Sequence, residues 1–280
     1  MGIQDARSGI EIPQKEDVYG HLKRLQFIRS VVETYIIERG ISTPRIIDVG
    51  CGTGIMTSLP LATYGYTVHG IDLDNASIDL AQELAHKFKL PNARFICADV
   101  STLDQKEKFD IAICSEVLEH LANPELLLMT IKSLIKEFGI LIVTVPNGYG
   151  WFEMEQFCWD LLHMDRFYSF GNRLFGFIKA KLGCIFGTSN MAPGPMIPII
   201  PASLSQTPHI QRFTIGRLQR LFSDCGLDIV DIRSSSLFAG KFTHLLFGHF
   251  KWFVSWNKWM ADLIPASLAS GWYFVLRNTD

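Results

Sequence analysis

Three glycines occupy alternate positions directly after a short apolar run in residues 46–54, IIDVGCGTG. Gly50, Gly52 and Gly54 leave a stretch of backbone without side chains at the predicted end of a strand. A strand that ends in glycines and leads into a helix presents unpaired amides and the positive end of the helix dipole. The pattern therefore predicts a binding site for a ligand with an anionic or strongly accepting group.

Two common nucleotide-binding loops do not match this stretch. A nucleoside-triphosphate loop needs Gly-Lys-Ser or Gly-Lys-Thr shortly after Gly50, and neither occurs there. A dinucleotide fingerprint needs a third glycine after two spacers, but Ile55 and Thr57 stand at those positions. A nicotinamide-dependent dehydrogenase is therefore a weaker alternative.

Acidic and imidazole side chains follow the next predicted strands. Asp72 closes a strand 18 residues after Gly54, where a carboxylate can accept hydrogen bonds from both hydroxyls of a ribose. The run SEVLEHL, residues 115–121, then supplies Glu119 and His120 as candidate bases.

The same run also has metal-ligand character. Glu116, Glu119 and His120 have a helical spacing that brings three ligands together, and His209 lies just before a late predicted helix. Three interpretations stay open: a bound divalent ion, His120 as a metal-free base, and a mainly structural role. Asn147, in VPNGYG, is likewise either a substrate contact or a turn residue.

The elements that position these residues alternate between strands and helices. The spacing of apolar residues predicts a leading helix over 17–40 and helices near 53–63, 75–89 and 124–137. Between them lie the β-rich segments RIIDVG, YTVHGIDL, ARFICADV, FDIAICSE and GILIVTVP, followed late in the chain by LDIVDIRSS and GWYFVLRN. Asn123, Thr214 and either Asp74 or Asn75 are expected to cap helices. This alternation predicts an α/β fold with a parallel sheet covered on both faces.

Two aromatic stretches interrupt the alternation and are interpreted as a helical, aromatic lid. They are residues 148–208, which become proline-rich from Pro193 to Pro208, and residues 240–270, which we expect to be helical. Residues 165–183 and FGHFKWFVSWNKWMADLI mix basic and aromatic side chains, and the latter places Phe250, Phe253, Trp256 and Met260 at helical spacing. Such helices either contact a membrane surface or an anionic amphiphile, or they pack on the core or on a second subunit.

Composition and charge exclude several classes of protein. The formal charge of −2 gives no general attraction to nucleic acid, so no nucleic-acid partner is expected. The six cysteines have no short paired spacing, and no apolar run is long enough to span a bilayer. Residues 1–9, MGIQDARSG, lack a basic segment followed by an apolar one, so no signal peptide is expected. We expect a cytoplasmic protein, with peripheral membrane contact as an option, and the sequence does not predict its oligomeric state.

Residues 48–54, DVGCGTG, resemble the first motif of the class I S-adenosylmethionine-dependent methyltransferases. The resemblance runs through residues 45–147 and returns more weakly at 209–235 and 272–278. It implies a Rossmann-like, seven-stranded, mostly parallel sheet with helices on both faces and an antiparallel last strand. The chain then divides as one methyltransferase domain, 1–280, with the leading helix at 17–40, a cofactor-binding core at 45–147, lid insertions at 148–208 and 240–270, and sheet-completing segments at 209–239 and 271–280.

The resemblance also implies the cofactor-binding residues. Asp48 would lie near the ammonium group of S-adenosylmethionine, the glycine loop near its carboxylate, and Asp72 at its ribose. The full set that the resemblance implies is Asp48, Gly50, Cys51, Gly52, Gly54, Asp72, Leu73 beside the adenine, Asp99 and Val100 at its amino group and ring, and Ser115 near the methionine. Because a side chain at Gly50 or Gly52 would occupy the ligand's space, we expect Gly50→Val to abolish cofactor binding and to leave unfolding of the apo protein nearly unchanged.

The implied function is methyl transfer from S-adenosylmethionine, with S-adenosylhomocysteine as product, to a small-molecule or lipid-like acceptor, first at oxygen. His120 and Glu119 are the catalytic candidates. The chain is similar here to ubiquinone-pathway O-methyltransferases, and its Glu116, Glu119, His120 and His209 resemble the metal-binding group of small-RNA 2′-O-methyltransferases. The alternative from another class is a non-catalytic regulatory module that binds S-adenosylmethionine.

Overall fold

A computed structural model describes residues 16–104, 106–164 and 209–278. Its helices are α1 (His21–Arg39), α2 (Ser58–Thr63), α3 (Asn75–Lys87), α4 (Pro124–Leu134), α5 (Trp151–Leu161), α6 (Ile215–Asp224), α7 (Lys241–Phe247) and α8 (Lys251–Leu263). Its strands are β1 (Arg45–Val49), β2 (Thr67–Asp72), β3 (Ala93–Cys97), β4 (Phe109–Ser115), β5 (Ile135–Pro146), β6 (Leu227–Ser234) and β7 (Gly271–Asn278). The basic aromatic stretch 165–183, the prolines at 193–208 and Cys184 lie outside the described residues.

The seven strands form one sheet in the order β3-β2-β1-β4-β5-β7-β6. The pairs from β3 to β5 are parallel, and β7 runs antiparallel to both β5 and β6. The predicted Rossmann-like fold with an antiparallel last strand is therefore confirmed. The order changes direction at the β1–β4 boundary, which is where open α/β sheets bind their ligands.

Each face of the sheet carries its own apolar layer. Ile47 and Val49 of β1 point to the layer that holds Leu128 of α4 and Leu218 of α6. Ile46, the residue before Ile47, points to the opposite layer, which includes residues of α1 and α3. Because successive residues of a strand alternate between faces, a strand that is buried on both faces, as β1 is, requires helices on both sides.

Two predicted helix boundaries were wrong. The helix expected from residue 53 begins at Ser58, and the helix expected to reach 137 ends at Leu134. Residues 135–137, which we expected to continue the helix that became α4, instead start β5. There Ile135 pairs with Phe109 across a register shift. Phe138 has a positive φ of 61°, which no regular helix accommodates.

The predicted capping residues are only partly confirmed. Asp74 accepts a hydrogen bond from the Ser77 amide (3.2 Å), and Thr214 accepts one from the Arg217 amide (3.3 Å). Asn123 occupies the position before α4 but makes no side-chain capping bond. Pro124, which follows it, lacks the amide hydrogen in any case.

The stretch 240–270 is helical, as expected, and forms α7 and α8. The interpretation that its apolar residues pack on the core holds for only one face of α8: Phe253 is buried, whereas Trp256 is 38% exposed. Phe250, directly before α8, is half exposed. Within the described parts of the chain, no helix combines the length and the apolar character needed to cross a membrane. The division of the chain into a core and a lid stays a prediction.

Candidate active site

The parallel pairing brings the predicted site residues to one edge of the sheet. Val49 lies opposite Ile71 on one side and Cys114 on the other. The residues that follow these three positions are Gly50, Asp72 and Ser115, so they meet where β2, β1 and β4 end. A cavity of about 430 Å³ opens at this edge.

The cavity brings together most of the predicted residues. Its lining includes Asp48, Gly50, Cys51, Gly52, Asp72, Ser115, Glu116, Glu119, His120 and His209. Gly54, Leu73, Asp99 and Val100 do not line it. Leu73 is 72% exposed. Asp99 accepts the Ser101 amide at the start of a short 3-10 turn, and that hydrogen bond lowers the pKa of its exposed carboxyl.

The glycine loop is held open by unusual backbone geometry. Gly50, Gly52 and Gly54 have φ values of 73°, 52° and 70°, all in the left-handed region. The Gly50 and Cys51 amides both donate to the Ile71 carbonyl, at 2.8 and 3.1 Å. The loop is therefore tied to β2 through its backbone, and glycine is the residue that adopts such angles at least cost.

The reason for glycine at position 50 differs from the one expected. A Cβ placed there would come within 2.5 Å of the Val117 side chain, so it collides with the chain itself. The expectation that Gly50→Val would leave the apo protein's unfolding nearly unchanged was therefore wrong. At Gly54 a Cβ would come within 2.8 Å of the Phe95 ring, which makes that glycine a packing requirement.

The helix that follows the loop contributes less than expected. α2 has only six residues and starts at Ser58, four positions after Gly54. The expectation of unpaired loop amides was also wrong, because the amides of Gly50, Cys51 and Gly52 already donate within the protein. Binding at this loop must therefore depend mainly on the neighbouring side chains. The positive end of a long helix, which the sequence suggested, is not there.

Two buried carboxylates line the floor of the cavity. Both oxygens of Asp72 accept backbone amides, from Gly52 (2.7 Å) and from Asp74 (2.9 Å), which fixes the carboxylate while leaving lone pairs for a further donor. Asp48 accepts the Ser58 hydroxyl at 2.5 Å and is 2% exposed. Burial, helped by the nearby charge of Asp72, raises the pKa of Asp48 to about 6.

Cys51 lies above these carboxylates. Burial first, and then the charges of Asp48 and Asp72, raise the pKa of its thiol well above the ordinary value. The thiol therefore stays protonated at neutral pH and is a poor nucleophile. It lines the cavity as a small, uncharged side chain.

Sequence reasoning missed a cation that balances this floor. Arg24 of α1 lines the cavity, its side chain is 13% exposed, and its Nη1 lies 3.4 Å from Glu116 Oε1. The signal was present, because Arg24 stands one and two helical turns before the fully buried Ile28 and Val32. A cation on the apolar face of an amphipathic helix needs an acidic or anionic partner.

Glu116 joins this cation to the end of β4. It has a positive φ of 57°, and its Oε1 accepts the Thr144 hydroxyl at 2.8 Å. Ser115 and Thr144 lie with their hydroxyl oxygens 2.8 Å apart. Glu116 is therefore committed to the Arg24 side of the cavity.

Imidazole and carboxylate groups form the opposite wall. Glu119 and His120 belong to one 3-10 turn, Leu118–His120, and the Glu119 carbonyl accepts the amides of Ile210 and Gln211, both at 2.9 Å. These bonds bring His209 to the cavity, where its ring centroid lies 5.1 Å from that of His120. His209 Nδ1 lies 2.6 Å from Glu153 Oε1, a second residue that the sequence did not reveal.

Glu119 is the most unusual group of this wall. It is 1% exposed, and its Oε2 has no hydrogen-bond partner among the described residues. Burial first, then the neighbouring Glu116, raise the pKa of its carboxyl well above the ordinary range. His120 Nε2 lies 3.7 Å from the other oxygen, Oε1.

The predicted metal ligands converge only in part. One candidate ligand atom each from Glu119, His120 and His209 lie within 4.8 Å of one another. Glu116 is not in this group, because its carboxylate faces Arg24 and Thr144. Two imidazoles and one carboxylate suit zinc, manganese or iron better than magnesium, which prefers oxygen ligands.

Asn147 is a turn residue. It is 4% exposed, donates to the carbonyls of Ser267 (3.0 Å) and Ala269 (2.9 Å), and accepts the Tyr149 amide. These bonds hold the end of β5 against the segment before β7. Neither Asn147 nor Tyr149 lines the cavity.

Comparison with known proteins agrees with this geometry. Residues 42–170 match the family model described as a methyltransferase domain. Over 139 residues the chain is 34% identical to the ubiquinone biosynthesis O-methyltransferase of Rickettsia prowazekii (strain Madrid E). The aligned region covers 48% of this chain and 53% of that protein. The chain thus spans about half the length of the curated relatives it matches.

Two solved structures share the fold at low sequence identity. One is the magnesium protoporphyrin IX methyltransferase of Synechocystis PCC 6803 with bound SAH, at 17% identity and a TM-score of 0.50, covering 93% of this chain and 85% of that one. The other is the [4+2]-cyclase SpnF, at 16% identity and a TM-score of 0.52, covering 90% and 82%. At such identity the likeness establishes the fold alone, and the two names differ in chemistry. The family match over residues 42–170 and the glycine loop on its seven-stranded sheet identify this part of the chain as a methyltransferase domain of the class I, S-adenosylmethionine-dependent type.

Proposed function

We propose that this chain transfers a methyl group from S-adenosylmethionine to an oxygen atom of a small-molecule or amphiphilic acceptor. One observation carries the proposal: a single cavity joins a glycine loop and acidic floor to a wall of imidazoles and a buried carboxylate. The partial match to relatives named as O-methyltransferases supports the choice of oxygen. Bound in this cavity, the sulfonium of the cofactor supplies an electrophilic methyl group.

The floor of the cavity fits the charges and hydroxyls of such a cofactor. The fixed carboxylate of Asp72 retains lone pairs for the two hydroxyls of a ribose. Arg24 offers a cation for an amino-acid carboxylate, and Asp48 offers an anion for the ammonium group. The side chains therefore complement the zwitterionic end of the ligand as well as its sugar.

The opposite wall is suited to take a proton from the acceptor. Because burial raises the pKa of Glu119, its carboxyl favours the neutral form and is poorly suited to act as an anionic base. The imidazole of His120 is then the group that removes the proton, with Glu119 beside it to orient the ring. His209, oriented by Glu153, completes the wall.

The test is to incubate the full chain with methyl-labelled S-adenosylmethionine and a metabolite and lipid extract, and to identify what acquires the label. We expect transfer by the wild type and a loss of at least a hundredfold in His120→Gln, in line with the usual contribution of a general base. His86→Gln is the matched control, because His86 is exposed on α3 and does not line the cavity. Binding of the cofactor without any transfer would instead identify a regulatory module.

A divalent ion is a second way to activate the acceptor at the same wall. It is favoured by the convergence of Glu119, His120 and His209 and by the unpartnered Oε2 of Glu119. Transfer that is lost on chelation and restored by zinc or manganese would assign these residues as ligands. Transfer that is indifferent to chelator would leave His120 acting as the base without metal.

A further inference from the structure

The outward face of α8 is made of large apolar side chains. Trp252, Trp256, Trp259 and Leu263 follow one another at helical spacing and are 67%, 38%, 58% and 61% exposed. The opposite face packs against the protein, and there the Asn257 side chain both donates to and accepts from the Phe238 backbone, at 2.7 Å each. The helix is thus fixed in its rotation, with its tryptophans outward.

The exposed face continues onto α7 and the turn between the two helices. Leu245, Leu246, Phe247 and Phe250 are 43%, 59%, 41% and 50% exposed. The Phe250 ring lies 6.4 Å from that of Trp252, so the two sets are contiguous. We call these eight residues, four on α8 and four on α7 and the turn, the aromatic patch. The rings of its three tryptophans and of Phe250 together expose roughly 400 Å² of apolar surface.

The segment that carries most of the aromatic patch has only basic charged side chains, of which Lys258 pairs with Glu16 at 3.1 Å. Residues 241–261 contain three lysines and two histidines and no Asp or Glu. The first acid beyond them, Asp262, is paired with Lys23 at 2.7 Å. A segment with tryptophan and phenylalanine on one face, with basic residues and with no acid in its own sequence has the composition of helices that lie in the interface of anionic bilayers.

The aromatic patch borders the cavity. Tyr19 lines the cavity, and its ring stacks on that of His244 in α7 at 5.7 Å. Ala239 also lines the cavity, and the ring of the preceding Phe238 lies 6.2 Å from that of Trp256. A surface that covers the patch would therefore lie beside the cavity.

We propose that the aromatic patch docks this chain on a lipid bilayer that carries anionic headgroups. Docking uses residues outside the cavity, so it stands whether or not the proposed methyl transfer is right. The inference that an amphiphilic acceptor enters the cavity from the bilayer rests on that proposed function.

The test measures partition of the full chain onto vesicles of phosphatidylglycerol and phosphatidylcholine by sedimentation. We expect the wild type to bind and Trp252→Ser/Trp259→Ser to bind at least tenfold more weakly. The matched control is Leu126→Ser/Met129→Ser on α4, since those side chains are 68% and 59% exposed, nearly as the two tryptophans are, and we expect it to bind as the wild type does. Lys251→Gln should weaken binding to the anionic vesicles by about fivefold and leave binding to phosphatidylcholine alone unchanged.

Three outcomes would overturn the proposal. The first is that the wild-type chain stays in the supernatant, and the second is that the two double variants bind the vesicles equally. The third is that the wild type forms a dimer without affinity for vesicles, and that Trp252→Ser/Trp259→Ser converts this dimer to a monomer. The last would show that a second copy of the chain covers the patch. Thermal unfolding and titration with S-adenosylhomocysteine, run on each variant, separate loss of docking from loss of the fold or of the cavity.

Discussion

Asp48→Asn should stabilise the apo protein at neutral pH, although it removes a residue of the proposed cofactor site. Burial raises the pKa of Asp48 to about 6, against 3.8 for the free side chain. The difference is about two pKa units, and each unit corresponds to about 1.4 kcal/mol, so keeping this carboxylate ionised costs the folded state about 3 kcal/mol at pH 7.5. An amide carries no such cost and can still accept the Ser58 hydroxyl.

The sign follows from the direction of the shift. Between the unfolded and the folded pKa of Asp48 the folded chain holds the extra proton, so wild-type stability falls as pH rises from about 4 to about 6. Asp48→Asn lacks this titration. Its advantage should therefore be about 3 kcal/mol at pH 7.5 and about half of that at pH 5.

Urea unfolding at those two pH values, followed by circular dichroism, measures the effect. Asp228→Asn is the control, because Asp228 is exposed on β6. The reasoning is refuted if Asp48→Asn is less stable than the wild type at pH 7.5, or if its advantage does not change with pH.

Three further predictions concern single residues of the cavity. Gly50→Ala should lower the free energy of unfolding by about 1–2 kcal/mol or more, because position 50 has a left-handed backbone and the new Cβ would collide with the Val117 side chain. Adding Val117→Ala should recover part of the loss. An unchanged urea midpoint for Gly50→Ala would contradict this prediction. Asp72→Asn should weaken binding of S-adenosylhomocysteine at least tenfold in calorimetry, since it puts an amide donor where two backbone amides need acceptors. If the variant binds with the affinity of the wild type, Asp72 is not part of the cofactor site. Glu119→Gln should leave the urea midpoint unchanged or raised, because burial already disfavours the anionic form of this carboxyl. Methyl transfer by the same variant should fall. Strong destabilisation would show that the anion is needed for folding.

Most of the fold could be predicted because its signals are local. The central strands β4 and β5 are mostly apolar runs, and parallel strands that are buried on both faces need such runs. The errors fell where tertiary pairing overrode local pattern. Ile135 looked like the last turn of a helix, but it pairs with Phe109 in the sheet.

The site was predictable to the extent that it lies in short motifs. Gly50, Asp72 and His120 each lie at or shortly after a strand end that the sequence marks, so parallel topology brings them together. Arg24 and Glu153 come from helices far away in the chain, and only the packing of α1 and α5 places Arg24 at the cavity and Glu153 beside His209. The helical spacing of Arg24 indicates that it needs a partner, but it does not identify the cavity as the place where that partner lies.

Titration of S-adenosylhomocysteine into the wild type and into Gly50→Ala by calorimetry tests the central claim most directly. A cofactor seated on the glycine loop predicts one site per chain in the wild type and a large loss of affinity in the variant, because the new Cβ meets Val117 and displaces the loop. Absence of binding in the wild type, or equal affinity in a folded Gly50→Ala, would contradict the account.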